Sequence, residues 1–333
     1  MSDVITLSHG SGGSSTKKLI DEIFAPAFAN DTLLAMEDSA VVAGGEKIAV
    51  TTDSFVVTPL EYNGGDIGRL CVCGTVNDLL MRGAKPAYIT CGFILEEGLD
   101  IKLLGRVVKS LAKTAKEAGV KIVAGDTKVI EGRGGLYINT AGVGILKADM
   151  PDISASKASA GDAVIVSGTM GDHHCTIMAS RLGIESEIKS DNAPLTEMVE
   201  KLLNNGIPVH AMRDVTRGGL GTVLKELAES SGKTVYADEE AIPVSEAVKD
   251  FAGLMGTDVI YMGNEGKMVL ILPGEYAGEA VDIIRKCRYG ENAAVIGEVK
   301  EETGREGSFI LRTALGGERN IDILRGEGLP RIC

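Results

Sequence analysis

The fold is decided by the stretch from Tyr88 to Ala124, which reads YITCGFILEEGLDIKLLGRVVKSLAKTAKEAGVKIVA. Two short apolar runs, at 88–95 and 120–124, have the length and the content of β-branched and aromatic residues that strands favour. Between them, residues 101–118 carry apolar side chains at helical spacing, and Gly119 follows where a helix C-terminus favours glycine. A strand, a helix and a second strand in this order predict an α/β unit.

The same pattern continues on both sides of this unit. Residues 48–52 and 136–143 are further apolar runs of strand type, and residues 67–81 have helical spacing. The order β-α-β-α-β-β predicts a mixed sheet with helices on one face. Near the N-terminus, the glycine- and serine-rich segment 8–15 leads into an amphipathic helix for which Thr16 is the expected N-cap.

Length and composition restrict the class of protein. With 333 residues, two domains are the default expectation. A formal net charge of -13 argues against a nucleic-acid surface, because a polyanion would be repelled. The sequence has no apolar run of about 18 residues and no signal-peptide pattern, so we expect neither a membrane span nor secretion. These features favour a cytoplasmic α/β or α+β protein.

The domain boundary is expected where periodicity is lost, between Leu146 and Ala160. We therefore predict a domain over 1–150, a second α+β domain over 151–324, and a mobile tail over 325–333. The second domain restarts with a strand at 161–168 and alternates strands with helices. Its clearest helical patterns are at 195–204, 220–230 and 274–287.

Six cysteines are present, and no two of them form a C-x-x-C pair. This spacing weakens a structural zinc site or a thioredoxin-like motif. Five of them are expected to be small core residues, namely Cys71, Cys73, Cys91, Cys175 and Cys287. Cys333 is the last residue, on a tail with two glycines and Pro330 that could carry a thiol into a cleft. The alternative is an ordinary terminus whose Leu329 and Ile332 dock on an apolar groove.

Four aspartates in the first domain lie at strand ends or turns beside glycine, serine or threonine: Asp38, Asp53, Asp78 and Asp126. Carboxylates without a nearby histidine suit a hard cation such as Mg²⁺, which takes oxygen ligands beside substrate phosphates. Each one alone could be a cap or turn residue. Their recurrence in one domain predicts a metal–nucleotide site, and the glycine loop at 10–13 could add backbone amides for an anion. A disordered start is the alternative for that loop.

The standard phosphate-binding motifs are incomplete in this sequence. The Gly232-Lys233-Thr234 turn lacks the first glycine of a P-loop, and Gly142-Val143-Gly144 lacks the third glycine of a dinucleotide fingerprint. In the second domain, three polar junctions could bind substrate: 168–174, 214–219 and 264–267. His174 or Glu265 could act there as a base, although paired histidines in such a turn are more often surface residues.

Several motifs together resemble the carbamoyl dehydratase family of nickel–iron hydrogenase maturation. They are the Pro330-Arg331-Ile332-Cys333 tail and the segments 9–13, 91–98, 125–128, 213–219 and 264–267. Single motifs are shared with aminoimidazole ribonucleotide (AIR) synthetases and selenophosphate synthetase, whereas the cysteine tail is specific. The resemblance covers the chain from end to end.

This resemblance implies a PurM-like, AIR synthetase-like fold of two domains, with an N-terminal sheet that contributes to a barrel across a homodimer. It implies ATP and Mg²⁺ as cofactors and Cys333 as the carrier of a carbamoyl group received from HypF. ATP would drive dehydration to a thiocyanate, and the cyanide would pass to the HypC–HypD complex. No nucleic acid or membrane is implied.

The resemblance also implies roles for residues. ATP and Mg²⁺ would lie among Asp38, Asp53, Asp78 and Asp126, and the remaining nucleotide contacts would be Gly10, Ser11, Gly12, Gly13, Asn77, Thr127, Asp214 and Asn264. Glu265, His174 and His210 are candidate bases, and Lys128 suits phosphate or oxyanion stabilisation. Two rival classes stay open: an ATP-dependent synthetase acting on a diffusible amide or selenide, and a non-enzymatic thiol carrier or redox adaptor.

Overall fold

The computed structural model describes residues 4–10, 14–34, 42–148 and 150–324. The predictions that concern Ser11, Gly12, Gly13, Asp38 and the 325–333 tail with Cys333 lie outside the described residues. All other predicted site residues are described.

The strands are, in chain order, β1 (Lys47–Phe55), β2 (Glu61–Tyr62), β3 (Gly65–Asp66), β4 (Lys85–Glu96), β5 (Lys121–Ile130), β6 (Leu136–Leu146), β7 (Asp162–Val166), β8 (Ala211–Asp214), β9 (Thr234–Asp238), β10 (Met268–Pro273), β11 (Ala294–Lys300), β12 (Phe309–Arg312) and β13 (Glu318–Ile321). The helices are α1 (Ser14–Leu19), α2 (Ala25–Phe28), α3 (Asp31–Leu34), α4 (Ile67–Met81), α5 (Ile101–Ala118), α6 (Asp172–Leu182), α7 (Thr196–Asn204), α8 (Gly219–Ser231), α9 (Glu246–Met255) and α10 (Ala277–Arg285).

The first half forms a four-stranded mixed sheet in the order β1-β6-β4-β5, in which only β4 and β5 are parallel. The two long helices of this half, α4 and α5, begin and end where the sequence predicts. Asp66 caps α4 by accepting from the amides of Gly68 and Arg69, and Asp100 caps α5 in the same way. Gly119 ends α5 with φ 75°, a left-handed conformation that glycine adopts without steric cost.

The N-terminal helical segment differs from its prediction. The first helix already begins at Ser14, so Thr16 lies inside it and the predicted N-cap at Thr16 is wrong. A π-helical turn over Ile20–Phe24 then joins α1 to α2. Phe24 packs against Phe93 of β4 and Phe28 stacks on Phe24, so this buried segment covers part of the sheet.

The second half forms a seven-stranded sheet in the order β13-β12-β9-β11-β7-β10-β8. The three helices predicted in this half are present as α7, α8 and α10, the last preceded by a short 3-10 turn at Gly274–Tyr276. The predicted turn at Gly232 is also confirmed, because Gly232 ends α8 in a left-handed conformation with φ 67°.

One apolar core joins the two halves. It contains side chains of α4 and α5 from the first half and of α7, α10 and β10 from the second. Helix α4 is buried on nearly all sides, since it contacts β1 and β6 as well as α7 and β8. The five described cysteines are buried free thiols, which confirms their expected role as core residues. No described helix is both long and apolar enough to cross a membrane.

Candidate active site

Three carboxylates converge where α4 passes between the two halves. Asp53 lies near the end of β1, Asp78 on α4 and Asp214 at the end of β8. The Thr51 hydroxyl donates a hydrogen bond of 2.7 Å to Asp78 Oδ2. Asp78 and Asp214 line a cavity of about 360 Å³ together with Arg213. Because α4 contacts both β1 and β8, the packing of this helix brings the three side chains together.

The ionised forms of the three aspartates are destabilised, and their pKa values are raised. Burial, followed by the neighbouring charge of Asp78, raises the pKa of Asp53, and burial also raises the pKa of Asp78. For Asp214, burial and then the charge of Asp78 raise the pKa to about 7. Carboxyl groups whose pKa is raised by burial and by a neighbouring carboxylate are common in sites that bind a cation or transfer protons.

The three carboxylates have the oxygen ligands that a Mg²⁺ site needs. Among the described residues, no three His, Cys, Asp or Glu side chains are grouped closely enough to hold a metal ion. Mg²⁺ usually retains several waters and binds through one or two carboxylates plus phosphate oxygens, so direct ligation by three side chains is not required. The cluster therefore fits a hydrated cation shared with a phosphate ligand, with Arg213 and Arg217 partly offsetting its charge.

The fourth described aspartate lies elsewhere in the chain. Asp126 pairs in register with Gly92, and Gly92 with Asn139, which in turn pairs with Ser54. Paired residues share a sheet face and neighbours in a strand point to opposite faces, so Asp126 and Asp53 face opposite sides. They are also three strand spacings apart, roughly 14 Å. The structure does not bring Asp126 to the other carboxylates within one chain.

Lys128 lies on the same open face as Asp126. Its ammonium is 2.9 Å from Asp126 Oδ1, and this contact lowers the pKa of Asp126. Between them, Thr127 lines an apolar cavity of about 210 Å³ on the inner side, beside Phe24 and Phe93. Gly10 ends a short 3-10 turn, Leu7–Gly10, that contacts β5.

Two predicted nucleotide contacts hold the protein together. Asn77 is 2% exposed; its amide donates to Ala193 O at 3.1 Å and accepts from Leu195 N at 2.9 Å. Asn264 accepts from Gly171 N at 2.8 Å, which fixes the start of α6. Asn77 thereby joins the two halves, whereas Asn264 positions backbone within the second half.

Glu265 is buried at the same junction. Its backbone amide donates to Asp191 Oδ1 at 2.9 Å. Burial raises the pKa of Tyr62 and Cys73, and the charge of Glu265 adds a smaller contribution in the same direction. The 264–267 segment is tied to the Asp214 junction because Val215 N donates to Lys267 O at 2.9 Å. A buried carboxylate between the two halves is placed to accept a proton from a group that enters there.

The burial of the paired histidines differs from what the sequence predicts. The expectation that His173 and His174 are surface residues is wrong, because both are buried in the first turn of α6. Burial lowers the pKa of His174 to about 4, so its imidazole is neutral at pH 7. His210 lies away from the cluster, with Nδ1 2.8 Å from the buried Asp162.

Three residues of this region were missed by sequence reasoning: Asp191, Asn192 and Lys267. Burial raises the pKa of Asp191 to about 6. The signal for Lys267 was present, since it belongs to the same polar junction as Glu265. Asp191 and Asn192 lie in an irregular segment, 190–194, whose position beside Glu265 depends on tertiary packing.

Comparison with known proteins defines the class. The model of the AIR synthase related protein N-terminal domain matches residues 36–146, and that of the C-terminal domain matches 159–309. The chain therefore has the two-domain PurM-like fold of AIR synthase related proteins. It is 43% identical over 341 residues to the carbamoyl dehydratase HypE of Escherichia coli (strain K12), covering 99% of both chains. The chain belongs to the HypE family of carbamoyl dehydratases, which are hydrogenase maturation proteins.

Solved structures agree with this assignment. A crystal structure of the hydrogenase maturation protein HypE in complex with ATP matches with a TM-score of 0.94 at 45% identity, covering 98% of this chain and 99% of that one. A HypE chain from a crystal structure of the HypE–HypF complex matches with a TM-score of 0.79 at 45% identity, covering 92% of this chain and 99% of that one.

Proposed function

We propose that this chain uses ATP to dehydrate an S-carbamoyl group on Cys333 to a thiocyanate. Membership of the HypE family supports the reaction. The location of the active site is supported by one observation, the convergence of Asp53, Asp78 and Asp214 at the domain junction. Three neighbouring carboxylates beside a cavity favour the binding of a cation. A HypE that is 45% identical has been solved in complex with ATP, whose phosphates would share this cation.

The proposed nucleotide site uses both halves. Asp53, Asp78 and Asp214 hold hydrated Mg²⁺ next to the ATP phosphates, with Asp38 as a further ligand. The glycine loop, Gly10 to Gly13, covers the phosphates, and Asn77, Thr127 and Asn264 form or support its walls. The domains are 1–150 and 151–324, and the tail 325–333 brings Cys333 to the junction. Mg²⁺ would offset negative charge on the phosphates during transfer.

The chemistry requires an amide oxygen to leave. The carbamoyl oxygen takes the γ-phosphoryl group of ATP and departs as phosphate, while two N–H protons are lost and the carbon–nitrogen triple bond forms. Glu265 is the proposed base, because it is an acidic side chain buried at the junction, where water is excluded. His174, neutral at pH 7, and His210 are the weaker candidates. Lys128 would stabilise the phosphate or the developing oxyanion.

The proposed partners are those that the resemblance to this family implies. HypF, which is bound to HypE in a solved complex, is the proposed carbamoyl donor, and the HypC–HypD complex is the proposed cyanide acceptor. We place the reaction in the cytoplasm.

We also propose a homodimer formed by the open face of the N-terminal sheet. Exposed apolar side chains lie on that face, with Ile48 53%, Val50 65% and Ile94 41% exposed. An apolar sheet face of this kind favours burial by a second copy. Asp126 and Lys128 lie on the same face, so a partner chain is needed to bring them to an acidic cluster. Light scattering of Val50→Glu should show monomers; an unchanged dimer would refute this interface.

Intact mass measurement tests the reaction. The full chain is incubated with HypF, carbamoyl phosphate and ATP, and a carbamoyl adduct on Cys333 should convert to a species lighter by one water. Cys333→Ala should bind ATP but show neither adduct. Persistence of carbamoyl-dependent ATP turnover in Cys333→Ala would refute the carrier and favour a diffusible substrate. Absence of ATP hydrolysis in the wild type would favour the non-enzymatic thiol carrier.

A further inference from the structure

A second polar cavity lies between the two halves, apart from the cavity that Asp78 and Asp214 line. Its volume is about 580 Å³, and its walls come from the starts of α4 and α6, the middle of α5 and the 189–192 segment. Lys267 reaches into this wall and is 7% exposed. Within the described part of the chain, its ammonium has no hydrogen-bond or ion-pair partner. Burial raises the pKa of Asp191 in the same wall, and the charge of Lys267 offsets part of that rise. An ammonium that lines a cavity without an ion pair favours an anionic ligand.

The backbone around Lys267 also favours a negatively charged ligand. A Cβ atom on Gly168 would stand only 3.2 Å from Lys267 Nζ, so glycine at 168 leaves the space that the lysine end occupies. Gly168 and Thr169 form the entry to α6, an 11-residue helix whose N-terminal end carries partial positive charge. Lys113 and Lys189 lie at the rim.

The acidic side chains around the cavity are mostly engaged elsewhere. Glu117 binds both Arg69, at 2.9 Å, and Arg288, at 3.0 Å. Asp66 accepts from the first amides of α4, and Asp172 accepts from the Thr169 hydroxyl. These contacts leave the lysine ammoniums as the cations available to a ligand.

Two oxygen atoms in the wall still need a donor. Asp191 Oδ2 and Asn192 Oδ1 are buried and have no hydrogen-bond partner in the described residues. Asn192 is 3% exposed, and its amide nitrogen donates to the Tyr62 hydroxyl at 3.1 Å, which leaves its oxygen as an acceptor. The cavity therefore presents a cation and a helix N-terminus for negatively charged oxygens, together with two acceptors for a hydroxyl.

An anion that also carries a hydroxyl satisfies both requirements. Near neutral pH, phosphate retains a proton and can donate to a carboxylate, whereas sulfate is fully ionised and cannot. We infer that this cavity binds inorganic phosphate in a protonated form, and that the phosphate released in the dehydration leaves the domain junction through it. This inference rests on the proposed function, since ATP supplies the phosphate. Asp191 links the two sites, because its other oxygen holds the amide of Glu265.

Phosphate titration of the full-length protein without nucleotide tests the inference, with calorimetry or phosphorus NMR as the readout and sulfate as the comparison ligand. The wild type should bind phosphate at least tenfold more tightly than sulfate. Lys267→Met, which keeps the length of the side chain, should weaken phosphate binding at least tenfold. Lys249→Met is the matched control, because Lys249 pairs with Glu246 outside this cavity and should leave binding unchanged. Asp191→Asn should bring the phosphate and sulfate affinities together.

The outcomes separate this inference from the proposed reaction. Phosphate binding with the expected response to Lys267→Met supports the cavity even if no dehydration is measured. Dehydration without phosphate binding, or equal binding by the wild type and a folded Lys267→Met protein, overturns the cavity alone. Displacement of phosphate by ADP at equal concentration would make the cavity part of the nucleotide site and would overturn a separate route for the product.

Discussion

Replacing Asp214 by asparagine should stabilise the protein while weakening Mg²⁺–ATP binding. Asparagine keeps the shape of the side chain and removes its charge from beside Asp53 and Asp78. Burial and the charge of Asp78 raise the pKa of Asp214 from 3.8 to about 7. A difference of about three pKa units corresponds to a ceiling of about 4 kcal/mol. Asp214 lines a cavity that water can enter, so we expect roughly half of this, about 2 kcal/mol.

The gain in stability should depend on pH. Below the unfolded pKa of 3.8, the carboxyl group is protonated in both states and costs nothing. As pH rises toward about 7, the unfolded chain releases its proton while the folded chain retains it, so wild-type stability falls. Above that value both states are ionised and the penalty is constant. The advantage of Asp214→Asn should therefore grow by about 1 kcal/mol between pH 5.5 and pH 8 and then level off.

Thermal unfolding without nucleotide measures this effect. At pH 8 the Tm of Asp214→Asn should exceed that of the wild type by about 4 °C. Asp126→Asn is the control, because Asp126 is exposed, pairs with Lys128 and has a lowered pKa. It should give no rise in Tm. Equal or lower stability of Asp214→Asn at pH 8, or unchanged Mg²⁺–ATP affinity, would refute the account of the cluster as a repulsive site that a cation relieves.

Two further substitutions test the junction around the site. Asn77→Ala should lower the free energy of unfolding by about 2 kcal/mol, because the Ala193 carbonyl and the Leu195 amide lose buried hydrogen bonds, and denaturant unfolding measures this change. A loss of ATP affinity without loss of stability would instead mark Asn77 as a direct ligand. Gly219→Ala should cost more than about 1 kcal/mol, since φ is 62° and the new Cβ would stand 2.5 Å from the Tyr261 carbonyl carbon. An unchanged Tm would contradict that reading.

Local pattern predicted the elements well because their causes are local. Helix α5 is amphipathic, begins at a capping aspartate and ends at a left-handed glycine, so its limits could be taken from the sequence. The start of α1 was missed by three residues, since a cap at Thr16 predicts a first helical residue at Lys17 and the helix begins at Ser14. Element ends without a strong cap are the least determined by local sequence.

The composition of the site could be predicted only in part. Asp53, Asp78 and Asp214 were each suspected, but which carboxylates meet depends on strand order and register. The order β1-β6-β4-β5 separates Asp126 from Asp53, and the register turns it to the other face. The same limit explains His173: it lies in the first turn of α6, and its burial depends on contact with Tyr62, a residue more than a hundred positions earlier.

Helix α4 contributes to both cavities, and its contact with the 190–195 segment gives the junction a direct physical coupling. Asn77 lies next to Asp78 in α4 and holds Ala193, while Asp191, two residues earlier in the same segment, holds Glu265. Lys267 carries the phosphate-facing ammonium, and its carbonyl accepts from Val215, the neighbour of Asp214. A shift of the 190–195 segment would therefore move the acidic cluster, the proposed base and the phosphate cavity together. Because tightly packed segments change position as units, cleavage of ATP on one side and release of phosphate on the other can be linked without a hinge between the domains.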